Sequence, residues 1–417
     1  MTSQVTQQQA DAPPAPAAGS GTYSAELLQR LVDQAAYFNL HSTPDTSDSR
    51  VPIRGNGGKD IVGLRVTESL RRFYIRTYAP DNDRPFRATN TVGECAGKFT
   101  HRWMFIPDQY SARPGSEVPP TAFDPSRSQR FMMIDGICRL GDETDGFHGF
   151  GTGKTYPSRE NGRSQLLVTA IGTLVEGFGK FKGLDECTYV YCGTLDVERG
   201  FTGSLMIRAM DPQGTLRTTR TLPTIRPGPE PEPDITYVML RGQASPTDIV
   251  APHLGPNGEF LGMKVEQGVT MISVDSSYKG RGGLQSVTKL GPSVGKLSAE
   301  IVFDPTTPGG TWRDPIPFTT ADLLTFPSDS RQPAGSFVAD LVDGRVFNLE
   351  IPKGSGQKAI RFGGTGPLRD GTGVFEGVEG LMTDNSVVIF TPHVSASVYV
   401  LRIHDAEGRY RAKPGSR

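Results

Sequence analysis

Residues 172–217, GTLVEGFGKFKGLDECTYVYCGTLDVERGFTGSLMIRAMDPQGTLR, lie without a gap on residues 366–411, GPLRDGTGVFEGVEGLMTDNSVVIFTPHVSASVYVLRIHDAEGRYR, at a constant offset of 194. Ten of the 46 aligned positions are identical, where composition alone gives roughly three. Six identities fall in the first twelve positions: Gly172/Gly366, Leu174/Leu368, Gly177/Gly371, Gly179/Gly373, Phe181/Phe375 and Gly183/Gly377. The other four are Arg208/Arg402, Asp211/Asp405, Gly214/Gly408 and Arg217/Arg411. A period near 200 residues is too long for a solenoid unit and implies one domain built twice.

The shared core of the repeat is Gly-x-Gly-x-Phe-x-Gly. Its period of two predicts a strand that turns Gly177, Gly179, Phe181 and Gly183 to one face, with the glycines as bending points of a small barrel. A dinucleotide or phosphate cradle would need a helix directly after the glycines. No helical stripe follows either copy, nor the loop at residues 146–157, GFHGFGTGKTYP, in which His148 stands where a phosphate loop has its first glycine.

Outward from the repeat, short apolar-alternating runs such as RRFYIRTYA (71–79), KFTHRWMFI (98–106), KLSAEIVF (296–303) and SASVYVLRI (395–403) are separated by turn residues, with 50 Gly and 33 Pro in 417 residues. Many short strands at even spacing, without βαβ alternation, predict an all-β protein of two tandem antiparallel barrels. One helix is expected, over 24–38, where Ser24 is a suitable N-cap and Leu27, Leu28, Leu31, Val32, Ala35 and Phe38 recur at helical spacing. Its apolar stripe packs on the first barrel or on a second copy of the chain, as a homo-oligomer contact. The Pro-rich stretch 221–235 reads as a semi-rigid linker. The expected division is a disordered tail over 1–21, helix and first barrel over 22–220, linker over 221–235, and second barrel over 236–417.

The charge balance, 44 basic against 45 acidic residues, leaves no basic footprint for nucleic acid. No apolar run reaches the ~18 residues of a membrane span. Cys95, Cys138, Cys187 and Cys192 show no metal spacing, and His101, His148, His393 and His404 form no HxH or HExxH pattern, so no metal and no cofactor are expected. Few cysteines in a long chain, with no signal-peptide pattern at the start, fit a cytoplasmic protein.

With these exclusions, the expected partner is a hydrophobic small molecule, and the relevant residues are polar ones on otherwise apolar strands. His101 and Trp103 share one face of a strand, and Cys187, Tyr189 and Tyr191 share one face of another; all five are expected to line a pocket. Asp135 stands among large apolar residues, although the Asp-Gly that it begins is also a hairpin signal. Glu176 precedes the first motif glycine, with Asp370 as its partner in the second copy. His148 lies at a possible barrel mouth. Asp135, Glu176 and His148 are the expected acid–base groups. In the gapless alignment Tyr189 and Tyr191 fall on Thr383 and Asn385, so the copies differ where a pocket would be lined. The first barrel is therefore the expected site.

The segments GTLVEGFGKFKGLDE and GTGPLRDGTGVFEGVEG, with the strands after them, resemble the allene oxide cyclase and dirigent barrels, and the chain is similar to bacterial barrel cyclases. The resemblance covers about a third of each half. It implies eight-stranded antiparallel barrels of calycin type that fold a hydrophobic substrate and steer its cyclisation or isomerisation without a cofactor. A natural-product cyclase or isomerase is one expectation; a non-catalytic lipid or pigment carrier is the alternative, and a structural protein the third.

Overall fold

The structure is a computed structural model. It describes residues 24, 35–42, 44–77, 94–107, 120–140, 144–160, 163–182, 185–196, 200–210, 226–227, 235–243, 247–276, 294–303, 316–328, 334–350, 356–390 and 393–410. The chain is all-β, and its strands form two closed antiparallel sheets.

The first contains β1 (Ala35–Ser42), β2 (Ser49–Gly55), β3 (Asp60–Thr77), β4 (Glu94–Ile106), β5 (Gln129–Leu140), β6 (Asp145–Glu160), β7 (Arg163–Phe178), β8 (Asp185–Asp196) and β9 (Gly200–Met210). Strands β3 to β9 pair in sequence order, and β1 closes the ring by pairing with both β9 and β3. Strand β2 continues along the β3 edge that β1 leaves free. A two-residue strand, β10 (Arg226–Pro227), adds to the start of β4. This places two residues of the expected Pro-rich linker on a sheet; Pro227 is tolerated because β10 is an edge strand.

The second sheet repeats the plan. It contains β11 (Ile235–Gln243), β12 (Ile249–Leu254), β13 (Phe260–Ser276), β14 (Gly295–Phe303), β15 (Ile316–Phe326), β16 (Gly335–Glu350), β17 (Lys358–Gly373), β18 (Gly380–Phe390) and β19 (His393–His404). Strand β11 pairs with β19 and β13, closing this ring as β1 closes the first, and β12 occupies the place of β2. Alternating inward residues fill each interior, as β5 and β15 show most plainly, and eight-stranded barrels of this width allow it. Trp103, Phe105, Phe131 and Tyr189 lie in the core of barrel 1, and Met271, Phe318, Phe337 and Leu401 in that of barrel 2.

Two expectations are corrected. Residues 35–38 of the expected helix 24–38, with Ala35 and Phe38 of its apolar stripe, are the beginning of β1; residues 25–34 lie outside the described residues, as do the tail 1–21 and linker residues 221–225 and 228–234, while Ile235 opens β11. The register shows why strand wins: Phe38 pairs with Ile75 on one side and Ile207 on the other, and the barrel remains open without β1. Tertiary pairing overrides local helical spacing here. No helix among the described residues is long and apolar enough to cross a membrane.

The Gly-x-Gly-x-Phe-x-Gly motif is not a bent strand but the turn that ends one. Strand β7 stops at Phe178, and Gly179–Phe181 forms a single 3₁₀ turn. In barrel 2, β17 stops at Gly373 and a turn follows over 374–377. Gly179 and Gly373 take the left-handed φ values of 63° and 59°, at little cost for glycine. At Gly177 and Gly371 a Cβ would collide with the returning carbonyl oxygens of Phe181 and Phe375. The motif phenylalanine then plugs the barrel end, with Phe181 stacked on Phe147 at 4.7 Å and Phe375 edge-on to Phe337 at 4.9 Å.

Candidate active site

Strand β3 presents Leu64, Val66, Glu68 and Leu70 to the interior of barrel 1, and β4 presents Phe99, His101, Trp103 and Phe105. Both sets follow the period of two, so an acid and an imidazole are carried into an apolar core by the same alternation that buries their neighbours. Glu68 Oε1 lies 2.8 Å from His101 Nε2. Its Oε2 accepts from the Ser42 hydroxyl at 2.7 Å and the Tyr191 hydroxyl at 3.1 Å. All four side chains are buried. An unpaired buried carboxylate is prohibitively costly; three donors around Glu68 make the charge tolerable.

The tautomer follows. Glu68 accepts from Ser42 and Tyr191, so the hydrogen shared with His101 is assigned to Nε2, and in that tautomer Nδ1 is an acceptor. His101 Nδ1 and Trp103 Nε1 are buried without a hydrogen-bond partner among the described residues. The two rings stack with centroids 5.6 Å apart. Phe99 flanks the imidazole at 4.4 Å, and Tyr189 meets Phe99 edge-on at 6.3 Å. Burial pushes the Tyr189 hydroxyl well above its ordinary range; burial and then the Glu68 charge do the same to Tyr191. Both phenols are neutral donors, Tyr189 to the Met133 sulfur at 3.2 Å.

Of the residues expected from sequence, barrel 1 brings together His101, Trp103, Tyr189 and Tyr191. Asp135 is elsewhere. It sits at a bulge of β5 with φ 52°, its carboxyl turned outward and paired with Arg102 at 2.6 Å. His148 follows the inward Phe147 and so lies on the outer face, against Phe178 at 5.2 Å. Glu176 is opposite His148 in the ladder and Cys187 is opposite Leu174; their side chains are outside the described set. Glu68 and Ser42 were not expected. The signal for Glu68 is present in VGLRVTESL, residues 62–70, as the acidic slot in a row of inward apolar positions.

Barrel 2 differs at the equivalent places. Gly172 pairs with Tyr189, and its repeat partner Gly366 pairs with Met382. The structural counterparts of Tyr189 and Tyr191 are therefore Met382 and Asp384, not Thr383 and Asn385. A one-residue slip exchanges the two faces of a strand. By the same register Gln267 replaces Glu68, Ala299 replaces His101 and Gly242 replaces Ser42. Polarity returns in another form. Asp322 accepts from the Thr320 hydroxyl at 2.8 Å, and Asp384 from the Ser386 hydroxyl. Burial and the Asp384 charge push the Asp322 carboxyl up to about 8; burial pushes Asp384 up to about 7 against the pull of Ser386 and Arg361. Tyr399 completes the group, its hydroxyl 3.4 Å from Gln267 Oε1.

The barrels meet through equivalent strands, β8 against β18 and β7 against β17. Arg361 donates to the Thr188 hydroxyl at 2.7 Å, Thr365 to the Cys192 sulfur, and Asn385 to the Met206 carbonyl. Ile171, Val190 and Phe347 form an apolar knot there. A cavity of about 10 Å³ lies in this seam, bordered by Thr169, Arg345 and Thr365, room for about one water molecule. Among the described residues no group of three or more His, Cys, Asp or Glu side chains could hold a metal ion.

The Glu68–His101 pair is chemically competent for proton transfer: a positioned imidazole with one free nitrogen, backed by a carboxylate that stabilises the imidazolium. No protein-family model, curated protein or solved structure matches this chain.

Proposed function

We propose that the chain is a cofactor-independent enzyme that isomerises or cyclises a hydrophobic small molecule, polyketide- or terpenoid-like, by proton transfer inside barrel 1. One observation carries the reading: a buried, fully partnered Glu68–Tyr191–Ser42 cluster holds His101 with one nitrogen unpaired in an apolar interior. A carrier needs apolar walls alone and gains nothing from this arrangement. In the proposal His101 Nδ1 takes a proton from the substrate and returns it at another atom, so the protein ends unchanged. Glu68 is a positioning residue that stabilises the imidazolium, and Trp103, Phe99 and Tyr189 shape the hydrocarbon path. The resemblance of the repeat to allene oxide cyclase and bacterial cyclase barrels supports this reading, and the few cysteines favour the cytoplasm. The domain division 22–220 and 236–417 belongs to this reading, with Arg226–Pro227 added to the barrel 1 sheet and Ile235 opening the first strand of barrel 2.

A second reading, a purely structural duplication, is favoured by interiors filled with side chains and by a described cavity of about 10 Å³ in the seam, against the ~300 Å³ of an ordinary ligand pocket. Untargeted metabolite comparison separates the two. A host making the wild-type chain is compared with hosts making His101→Ala, Glu68→Gln or no chain, each variant first shown to be folded by its melting curve. Loss of a precursor and gain of an isomeric product only with the wild type is expected. Identical profiles from wild type and empty host would overturn the proposal.

A further inference from the structure

Two buried polar atoms of barrel 1 lack a described hydrogen-bond partner: Nδ1 of His101 and Nε1 of Trp103. Both side chains are at least nine-tenths buried, and stacking holds them side by side. Their chemistry is complementary rather than equal. The indole N–H only donates. With Nε2 committed to Glu68, Nδ1 of the neutral imidazole only accepts. A hydrocarbon guest leaves both unsatisfied, and buried polar atoms without partners are costly. A ketone, which only accepts, answers Trp103 and leaves His101 bare. A hydroxyl group both donates and accepts, and so meets both needs.

We infer that barrel 1 selects a ligand carrying a hydroxyl function on an apolar skeleton, its O–H donating to His101 Nδ1 and its oxygen accepting from Trp103 Nε1. The inference rests on the proposed reading of barrel 1 as a small-molecule site, and it deepens that reading by naming the group the site recognises. It also assigns the first proton moved: the hydroxyl proton passes to His101 Nδ1, leaving an alkoxide or enolate oxygen on the Trp103 N–H, while Glu68 remains a carboxylate. Barrel 2 has Ala299 and Ile301 at the equivalent positions, so the recognition belongs to barrel 1 alone.

The test uses three probes of one skeleton, cyclohexanol, cyclohexanone and cyclohexane, added to the full-length ¹⁵N-labelled chain. The chain has two tryptophans, so Trp312 serves as internal reference for the Trp103 indole resonance. Cyclohexanol is expected to move the Trp103 indole N–H and the His101 Nδ1 resonance together. Cyclohexanone is expected to move the indole alone, and cyclohexane neither, although it shifts the surrounding Phe99 and Tyr189 signals. Cyclohexanol should bind roughly two- to tenfold tighter than the ketone, the worth of one hydrogen bond, and Trp103→Phe should erase about as much. Equal binding of all three probes in barrel 1 overturns the recognition and leaves the small-molecule reading standing. No shift of barrel 1 resonances with any probe overturns both. Should Trp103→Phe fail to fold, the wild-type resonances decide alone.

Discussion

Glu68 is the residue on which barrel 1 turns. Three side chains from three other strands converge on its carboxylate, and removing the acceptor leaves three buried donors without a partner. Glu68→Leu should therefore cost on the order of 3 kcal/mol or more in denaturant unfolding, while Glu68→Gln, which keeps one carbonyl acceptor, should cost less. A positioning role makes a further demand that packing does not. ¹⁵N NMR of the wild type should show His101 protonated at Nε2, and Glu68→Leu should yield a mixture of tautomers; an unchanged tautomer in the variant would reduce Glu68 to a structural group. The acids of barrel 2 act through pH instead. Asp322 and Asp384 hold their protons to about 8 and about 7 in the folded chain, whereas an unfolded carboxyl releases its proton near 4. Between these limits the native state binds more protons than the unfolded state, so stability falls as pH rises, by on the order of a few kcal/mol across the window. Thermal melts from pH 5 to pH 9 should show the midpoint dropping toward the alkaline side. Asp322→Asn with Asp384→Asn should flatten that slope; a wild-type midpoint that rises with pH would refute the assignment.

At the scale of the element, the repeated motif is a strand terminator with three separate tasks. One glycine admits the returning carbonyl, the next supplies the left-handed backbone, and the phenylalanine closes the barrel end. Phe181→Ala and Phe375→Ala should each lower stability by about 3–5 kcal/mol, as deletion of a buried ring does. Gly179→Ala and Gly373→Ala should each cost more than the ~1 kcal/mol of left-handed backbone, because a Cβ there would also strike the Thr144 and Ala334 carbonyl oxygens, and chemical denaturation measures all four variants. These elements also show what the chain made legible. Strand class, duplication and the inward set His101, Trp103, Tyr189 and Tyr191 follow from period-two spacing, because burial writes that spacing directly into the residues. The turn was hidden because Gly-x-Gly-x-Phe-x-Gly has the same period whether its glycines lie along a strand or fold back on themselves. Strand β1 was hidden because Ala35 and Phe38 also fit a helix, and the partners that decide the matter, Ile75 and Ile207, lie far along the chain. Asp384 of barrel 2 was hidden by a gapless alignment that holds on both sides of β8 and is one residue out within it. Asp384, the true counterpart of Tyr191, was thereby passed over for Asn385, which faces the seam. Asp135 misled for a related reason: a bulge turns it outward where unbroken alternation would not.

Across the whole molecule, duplication has produced two barrels that agree in backbone and disagree inside. Such divergence leaves one copy free to change once the other carries the chemistry, provided that the two remain joined. The seam supplies the joint. Equivalent strands face each other, and the contact contains apolar knots around Ile171 and Leu381 together with Arg361 reaching across to Thr188. Arg361 also bonds the Phe362 and Ser386 carbonyls, so it ties the β17–β18 ladder of one barrel to β8 of the other. A buried seam that joins apolar knots to cross-barrel hydrogen bonds couples unfolding, since either barrel would expose it on opening alone. The wild-type chain should therefore melt as one calorimetric transition. Gly363 tests the coupling most cleanly, because its missing side chain is where Ile171 packs and a Cβ there would strike that residue. Gly363→Leu should force the barrels apart at a cost of roughly 1–3 kcal/mol and split the melt into two transitions. The Glu68–His101 signature of barrel 1 should survive in the variant. If the wild type already shows two transitions, the barrels fold independently, and the divergence of their interiors was never held in check by the seam.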